Sequence, residues 1–385
     1  MRCLVSLLAT LLFANTAAAE SYRLRADVLS SATPPAGLVV LQGEEERRPW
    51  LRVEALVWAT GREGEGNGDA LVANVRLRDP KGRGELRLGR MLVTSTGRPL
   101  HVDGVSGWTR LRRWQTEVEA FAGMPVVPKL GVQSFDWALG ARVAEPLGGF
   151  GTAGVSYLHR RTEGQLFDEE VGLDYAVSPR PWLDISARGS YDVVTPGVSE
   201  ASLSAAARRG RARAELFAYR RSPSRMLPAT SLFSALGDVP SDAIGTSLFL
   251  RAAPRLDLSA KAAFRTGGGQ SGDASLRCVL RLDDRGDGAV SLEVRRQEAG
   301  KDSFTGARAT GRLPLPYNLV ASTELELVVP DDLRGRGAAW PWGLVALRAR
   351  PFPLWEVAAA VEASASPENE AQVNALVRVA RRFEP

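Results

Sequence analysis

The chain has 385 residues, with 49 Lys and Arg against 44 Asp and Glu, a formal net charge of +5, and two cysteines. The basic residues stand singly beside carboxylates and form no tract, which excludes a nucleic-acid partner. Cys3 and Cys278 form no disulfide framework, and there are no Cys pairs and no His-x-x-x-His spacing to hold a metal, so no cofactor is expected.

Residues 1–19 read as an export signal. Arg2 supplies a positive start, Leu4 to Phe13 an apolar run, and Ala17-Ala18-Ala19 an A-x-A cleavage site before Glu20. The run is too short to cross a bilayer as a helix, and no later stretch approaches the roughly 20 apolar residues that would. Residues 20–385 show no linker, low-complexity spacer or charge block, which favours one domain.

After the leader, 21–43 is one bent strand or two short ones. Strands follow near 50–60, 69–79, 83–92 and 114–123. Residues 93–113 fit poorly as a single strand; they add a hairpin or fold inward as a loop. Strands are then expected near 134–145, 151–160, 168–178, 181–192, 199–209, 211–221, 243–253 and 255–266. They continue near 273–283, 288–297, 302–313, 317–328, 340–350, 354–364 and 369–382. In Leu183 to Tyr191 the odd positions are apolar or small and the even ones polar; Leu256–Lys261, Val290–Arg295 and Val373–Val379 repeat the pattern. A side-chain period of two puts each set on its own face of a strand. The expected fold is all-β, a transmembrane antiparallel β-barrel of about 18 strands within about 16 to 20, even-numbered as single-chain bacterial barrels are.

The connections alternate in character. Short turns include Asp284 to Asp287, Ala253-Pro254 and Arg209-Gly210. The longer set is Arg161–Phe167, Val193–Ser199, Ser222–Asp242, Thr266–Gly272, Pro330–Ala339 and Ser364–Glu370. Short turns on one rim and longer loops on the other is the arrangement of outer-membrane barrels, the short turns being periplasmic.

The apolar face carries Phe135, Trp137, Tyr175, Tyr191, Phe264, Tyr317 and Trp355 near strand ends, as aromatic girdles require. Cys278 falls on this face with Leu276 and Leu280, a small filler rather than a reactive thiol. The opposite face is ionic. Burying so many charges dry costs on the order of several kcal/mol per ion, so this face lines a wet lumen. Its pore-lining candidates are Arg188, Arg213, Lys261, Arg265, Arg277, Arg281, Glu293, Arg295, Glu324, Glu326 and Arg378. Acids such as Glu324 and Glu326 against arginine-rich strands set a field across the pore, and the arginine excess favours anions.

Catalytic signals are weak. His101-Val102-Asp103 puts a base and an acid on one strand face without a triad, His159 ends a strand, and Gly267-Gly268-Gly269 lies at a hairpin tip without the helix a phosphate loop needs. An outer-membrane enzyme stays a low alternative, as does a secreted soluble all-β protein, which would show a longer internal repeat.

The whole pattern resembles Gram-negative outer-membrane β-barrels of the porin kind. Leu86-Arg87-Leu88-Gly89-Arg90 is similar to a porin strand followed by a loop. Val377-Arg378-Val379-Ala380-Arg381-Arg382-Phe383 is similar to the C-terminal signal read by the barrel assembly machinery, although Glu384-Pro385 follow the aromatic residue. The arginine-rich composition and the segment Arg225 to Ser234 suggest a myxobacterial source. The resemblance implies a place in the cell outer membrane, contact with its lipid, and a channel passing hydrophilic solutes without making or breaking bonds. Its alternative is a port for polysaccharide export working with periplasmic partners.

Overall fold

The computed structural model describes residues 22–383 apart from 33–34, 63–64, 97–98, 127–135, 163, 223–239, 268, 285, 333–338 and 366–370. The expected export signal therefore lies outside the described residues, as does Phe135. In chain order the first strands are β1 (Tyr22–Ala32), β2 (Pro35–Arg48), β3 (Leu51–Arg62), β4 (Glu65–Arg78), β5 (Gly84–Val93), β6 (Leu100–Arg110) and β7 (Glu117–Pro125). Next come β8 (Ala138–Pro146), β9 (Gly151–Thr162), β10 (Gln165–Arg180), β11 (Leu183–Asp192), β12 (Gly197–Arg209), β13 (Ala212–Arg221), β14 (Ser241–Ala253) and β15 (Leu256–Thr266). The chain finishes with β16 (Ser271–Arg281), β17 (Ala289–Glu298), β18 (Phe304–Leu315), β19 (Leu319–Pro330), β20 (Trp340–Phe352), β21 (Trp355–Ser364) and β22 (Gln372–Phe383).

Every strand pairs antiparallel with its sequence neighbours, and β22 returns to β1 through pairs such as Val28↔Val379, so the sheet closes into a 22-stranded barrel. This corrects the expectation of about 18 strands. From β8 onward each expected strand is present. The extra strands lie in the first third, where β1 and β2 are separate and turn at Ala32↔Pro35. Residues 93–113, expected as a hairpin or an inward loop, supply the single strand β6 preceded by an inward turn: Ser95 lies beside the inward Glu119, and Thr96 is almost fully buried where a Cβ on Gly140 would meet its Cγ2 at 2.6 Å. The alternation of β6 is masked because Val102 and Trp108 share one register with Gly104 and Ser106, while Val105 shares the other with His101 and Asp103. Neither face of β6 is purely apolar, so the period-two signal cancels.

Both strand ends of the chain lie at one rim. Its connections run from two residues, as at 181–182 and 210–211, to the seven of 282–288. The opposite, loop rim carries 126–137, 222–240 and 331–339. One expected longer loop is corrected: β9 runs to Thr162 and β10 starts at Gln165, so the extended pairing absorbs most of Arg161–Phe167.

The two faces differ as the alternation requires. One is apolar and open, with Leu216 66%, Leu276 61%, Ile244 63% and Val345 61% exposed. The other is ionic, and three contacts identify it as the concave side by reaching across an intervening strand. Arg142 of β8 bonds Asp174 of β10 at 2.6 Å, Arg265 Nε of β15 reaches the Tyr219 hydroxyl of β13 at 3.1 Å, and Arg295 of β17 bonds Glu326 of β19. Strands two apart are separated by about 10 Å, a gap that side chains in the middle of strands close most readily where they converge. The apolar face is therefore the convex, lipid-facing one.

Aromatic residues mark both edges of that outer face. Trp137, Tyr191 and Phe264 stand toward the loop rim, and Trp50, Phe150, Trp182, Tyr317 and Phe352 at the terminal rim, all exposed. Such rings suit headgroup level. Cys278 is a free, half-buried cysteine, and it pairs in register with the apolar Leu258 and Leu292.

Candidate solute channel

All eleven candidate residues lie on the inner register. The alternation that puts Leu276, Leu280 and Leu292 outside puts Arg277, Arg281 and Glu293 inside. Several are drawn into pairs. Arg281 bonds Asp257, Arg308 bonds Glu324, and Arg295 bonds Glu326. Arg213 lies 3.3 Å from Glu215, Arg265 2.7 Å from Asp273, and Arg378 2.6 Å from Asp27 and 3.5 Å from Glu356. The Asp27–Arg378 pair bridges the closing seam between β1 and β22.

The long side chains lie flat because the residues beneath them are small. A Cβ at Gly154 would meet Asp174 Oδ1 at 2.7 Å and an Arg142 nitrogen at 2.9 Å, and one at Gly306 would meet Arg295 Nε at 3.0 Å. Ala243 occupies the matching place between Tyr219 and Arg265. Small residues on the spanned strand let ion pairs form a second, polar layer over the backbone.

Other inward cations are not neutralised this way. The Lys261 ammonium sits over the Phe217 ring, 5.5 Å from its centroid. Arg277 donates to Ser291 Oγ at 3.3 Å. Arg188 and Arg312 are exposed on the same inner register. Among the described residues, none of these four has a carboxylate in ion-pair contact. They fall on β11, β15, β16 and β18; Arg188 and Arg277 stand opposite Asp174 and Glu293 in register without ion-pair contact, while Lys261 and Arg312 face no carboxylate across the ladder. Glu293 lies between Arg277 and Arg308 in register and is the one carboxylate candidate outside an ion pair among the described residues.

The opposite side of the wall differs. On β5 to β9 the inner register carries the buried apolar cluster Met91, Val93, Val102, Phe121, Ala138 and Leu158. Glu170 follows in the same row beside Leu158 and is almost fully buried. Arg76–Glu54, Arg52–Glu44 and Arg142–Asp174 continue the ionic lining toward the terminal rim. At the loop rim, just past the end of β19, Asp331 is bonded by the guanidinium of Arg296 of β17, which holds its carboxyl below the usual range.

Sequence reasoning missed Arg308 and Arg312, which the period of two could have found, since they continue the register of Glu293 and Ala289. Among the described residues neither histidine is hydrogen-bonded to a carboxylate; the Tyr157 hydroxyl lies 3.5 Å from His159 Nδ1 and donates to Glu169 at 2.6 Å. Asp103, which shares a face with His101, is bonded by Arg90, and His159 is stacked on Trp137 with ring centroids 4.9 Å apart. No group of three or more metal-ligating side chains occurs among the described residues.

No family model and no curated protein matches this sequence. Solved structures do match in fold. The siderophore receptor PirA from Pseudomonas aeruginosa aligns over 96% of this chain and 81% of its own at 10% identity and a TM-score of 0.67. The FrpB iron transporter from Neisseria meningitidis aligns over 95% and 82% at 8% identity and a TM-score of 0.61. The E. coli P pilus tip assembly intermediate PapC-PapD-PapK-PapG aligns over 96% and 62% at 10% identity and a TM-score of 0.61. The fold is that of a Gram-negative outer-membrane β-barrel. Its place is the cell outer membrane, where lipid covers the apolar convex face. At these identities the likeness speaks of fold alone, and none of the three proteins comes from a myxobacterium.

Proposed function

We propose that this barrel is a passive channel for hydrophilic solutes that prefers anions. The observation that carries the reading is the set of inward cations without an ion-paired carboxylate: Arg188, Lys261, Arg277 and Arg312 in one part of the wall, and Arg382 near the closing seam. Fixed charge facing a water-filled lumen raises the local concentration of the opposite ion and biases passage. No bond is made or broken, and no cofactor takes part. In this reading residues 1–19 are removed on export, the barrel assembly machinery reads the segment Val377–Phe383, and the short-turn rim faces the periplasm.

The test is the reversal potential of the full chain in planar bilayers under a KCl gradient. Wild type gives an anion-selective potential, and replacing Arg188, Lys261, Arg277 and Arg312 together with Gln lowers the anion-to-cation permeability ratio several-fold. A ratio unchanged by the replacement contradicts the reading.

Barrel width supports a second reading. Channels of 16 to 18 strands already leave an aqueous lumen, and this ring has 22. The inner register also carries Phe217, Phe249 and Trp342, whose indole donates to Glu362 at 2.6 Å. A wide polar lumen with aromatic platforms suits a polysaccharide exit port with periplasmic partners. Block of the ion current by long dextrans, absent with glucose and relieved on replacing Trp342 with Ala, supports the port over the small-solute channel.

A further inference from the structure

On the convex face, near the terminal rim, the wall is hollowed over β12 and β13. The outward rows there run Ala207↔Ala214↔Leu248 and Arg209↔Ala212↔Leu250. Farther from the rim the same strands carry Leu203 and Leu216, 53% and 66% exposed. Three alanines thus form a floor, with Trp182 on one side and Leu248 and Leu250 on the other. The Arg208 amide donates to the Trp182 carbonyl at 2.7 Å, which fixes the β10–β11 turn beside β12. The groove has a volume of about 920 Å³, the size of a ligand site. Its walls are open, for Trp182 and Leu248 are each 52% exposed.

The rim end of the groove is cationic. Arg209 holds the outward register opposite Ala212. A bulge after Val177 brings Arg180 opposite Leu183, whose other partner, Ala207, belongs to the floor. Bulges re-aim side chains in this way, and here the second arginine joins the outward register. Both arginines are exposed, and among the described residues neither has a carboxylate in ion-pair contact. Arg208 between them in the fold points inward and is bonded to Asp184. Arginine on a lipid-facing register extends toward headgroup level, where it attracts anionic lipid.

A second groove on the same face supplies the contrast. It holds about 620 Å³ over β8 to β11, and its Val143, Val155 and Leu173 are exposed. Its terminal-rim end carries Glu145, outward opposite Ala153, which accepts a hydrogen bond from the Thr116 hydroxyl at 2.6 Å. Either hollow has room for an acyl chain. Charge at the rim separates them.

We propose that the groove over β12 and β13 seats one anionic phospholipid of the leaflet at the terminal rim. An acyl chain lies on Ala207, Ala212 and Ala214 between Trp182 and Leu248, and the phosphate accepts hydrogen bonds from Arg180 and Arg209. The planar guanidinium offers pairs of N–H groups that match phosphate oxygens. The seat does not rest on ion passage, because both arginines stand outside the lumen.

The experiment places the full chain in nanodiscs of equal phosphatidylglycerol and phosphatidylethanolamine. A trace of either lipid bears a diazirine on an acyl chain, and labelled residues are mapped by peptide mass spectrometry. The phosphatidylglycerol probe is expected to label Ala207, Ala214 or Leu248 several-fold more than Val155 or Leu173 of the second groove, while the phosphatidylethanolamine probe labels both grooves alike. Arg180→Gln combined with Arg209→Gln removes the preference. Ala214→Phe, which fills the floor and keeps both charges, lowers it several-fold, and Ala187→Phe in the second groove does not. Should a variant not fold, the two probes on the wild type decide alone. Equal labelling of the grooves by phosphatidylglycerol, the same preference with phosphatidylethanolamine, or a preference that survives loss of both arginines overturns the seat.

Discussion

Gly154 and Gly306 do as much for the lumen as the charged residues above them. Each lies beneath a guanidinium that crosses its strand; a Cβ at Gly154 would fall within 3.0 Å of both members of the pair, and one at Gly306 would press on Arg295 at 3.0 Å. Gly154→Val therefore displaces Arg142 from Asp174 and overpacks the inner wall, at a cost of about 1–3 kcal/mol. Denaturant titration of the folded barrel in detergent micelles measures the loss. The pairs themselves are open to lumen water and contribute only about 0–1 kcal/mol each. Glu326→Gln accordingly leaves stability within about 1 kcal/mol of wild type while it frees Arg295, so the permeability ratio moves further toward anions. A shift toward cations on that replacement would show that Glu326 does not face the conducting path.

At the scale of the strand, adjacent positions have opposite requirements. Leu276→Arg puts a charge in the acyl layer and costs about 2–4 kcal/mol if it lies near the bilayer centre. Arg277→Leu changes only the wall of the lumen and leaves the folded fraction intact while weakening anion preference. Heat-dependent gel mobility reports the folded fraction of both. This alternation is what made β8 to β22 legible in the sequence, because Val290 to Arg295 and similar runs separate lipid from water without ambiguity. It fails in β6, where Val102 and Val105 fall on opposite faces and Asp103 sits on the lipid-facing register. There a local exception in the wall, stabilised by Arg90, erases the period that strand reading depends on. The face of each pore candidate was also legible, since register follows parity. Which cations find carboxylates was not, because partners such as Arg295 and Glu326 are brought together only by barrel curvature across a third strand.

For the whole molecule, closure through β1 and β22 and the asymmetry of the rims define an orientation. Lys301, in the short 3-10 turn Gly300–Asp302 of the loop rim, stands on the opposite side of the membrane from Asp284 in the 282–288 turn. A thiol-reactive reagent that cannot enter intact cells labels Lys301→Cys and not Asp284→Cys, each in a Cys278→Ser background; the reverse result would invert the barrel. The ring of 22 strands with an ionic inner wall leads to one central claim: water and ions occupy the inside. Single-channel recording of the purified full chain in planar bilayers tests it most directly. The account predicts stepwise current in KCl from each folded barrel inserted, and well-folded barrels that insert and carry no current would contradict it.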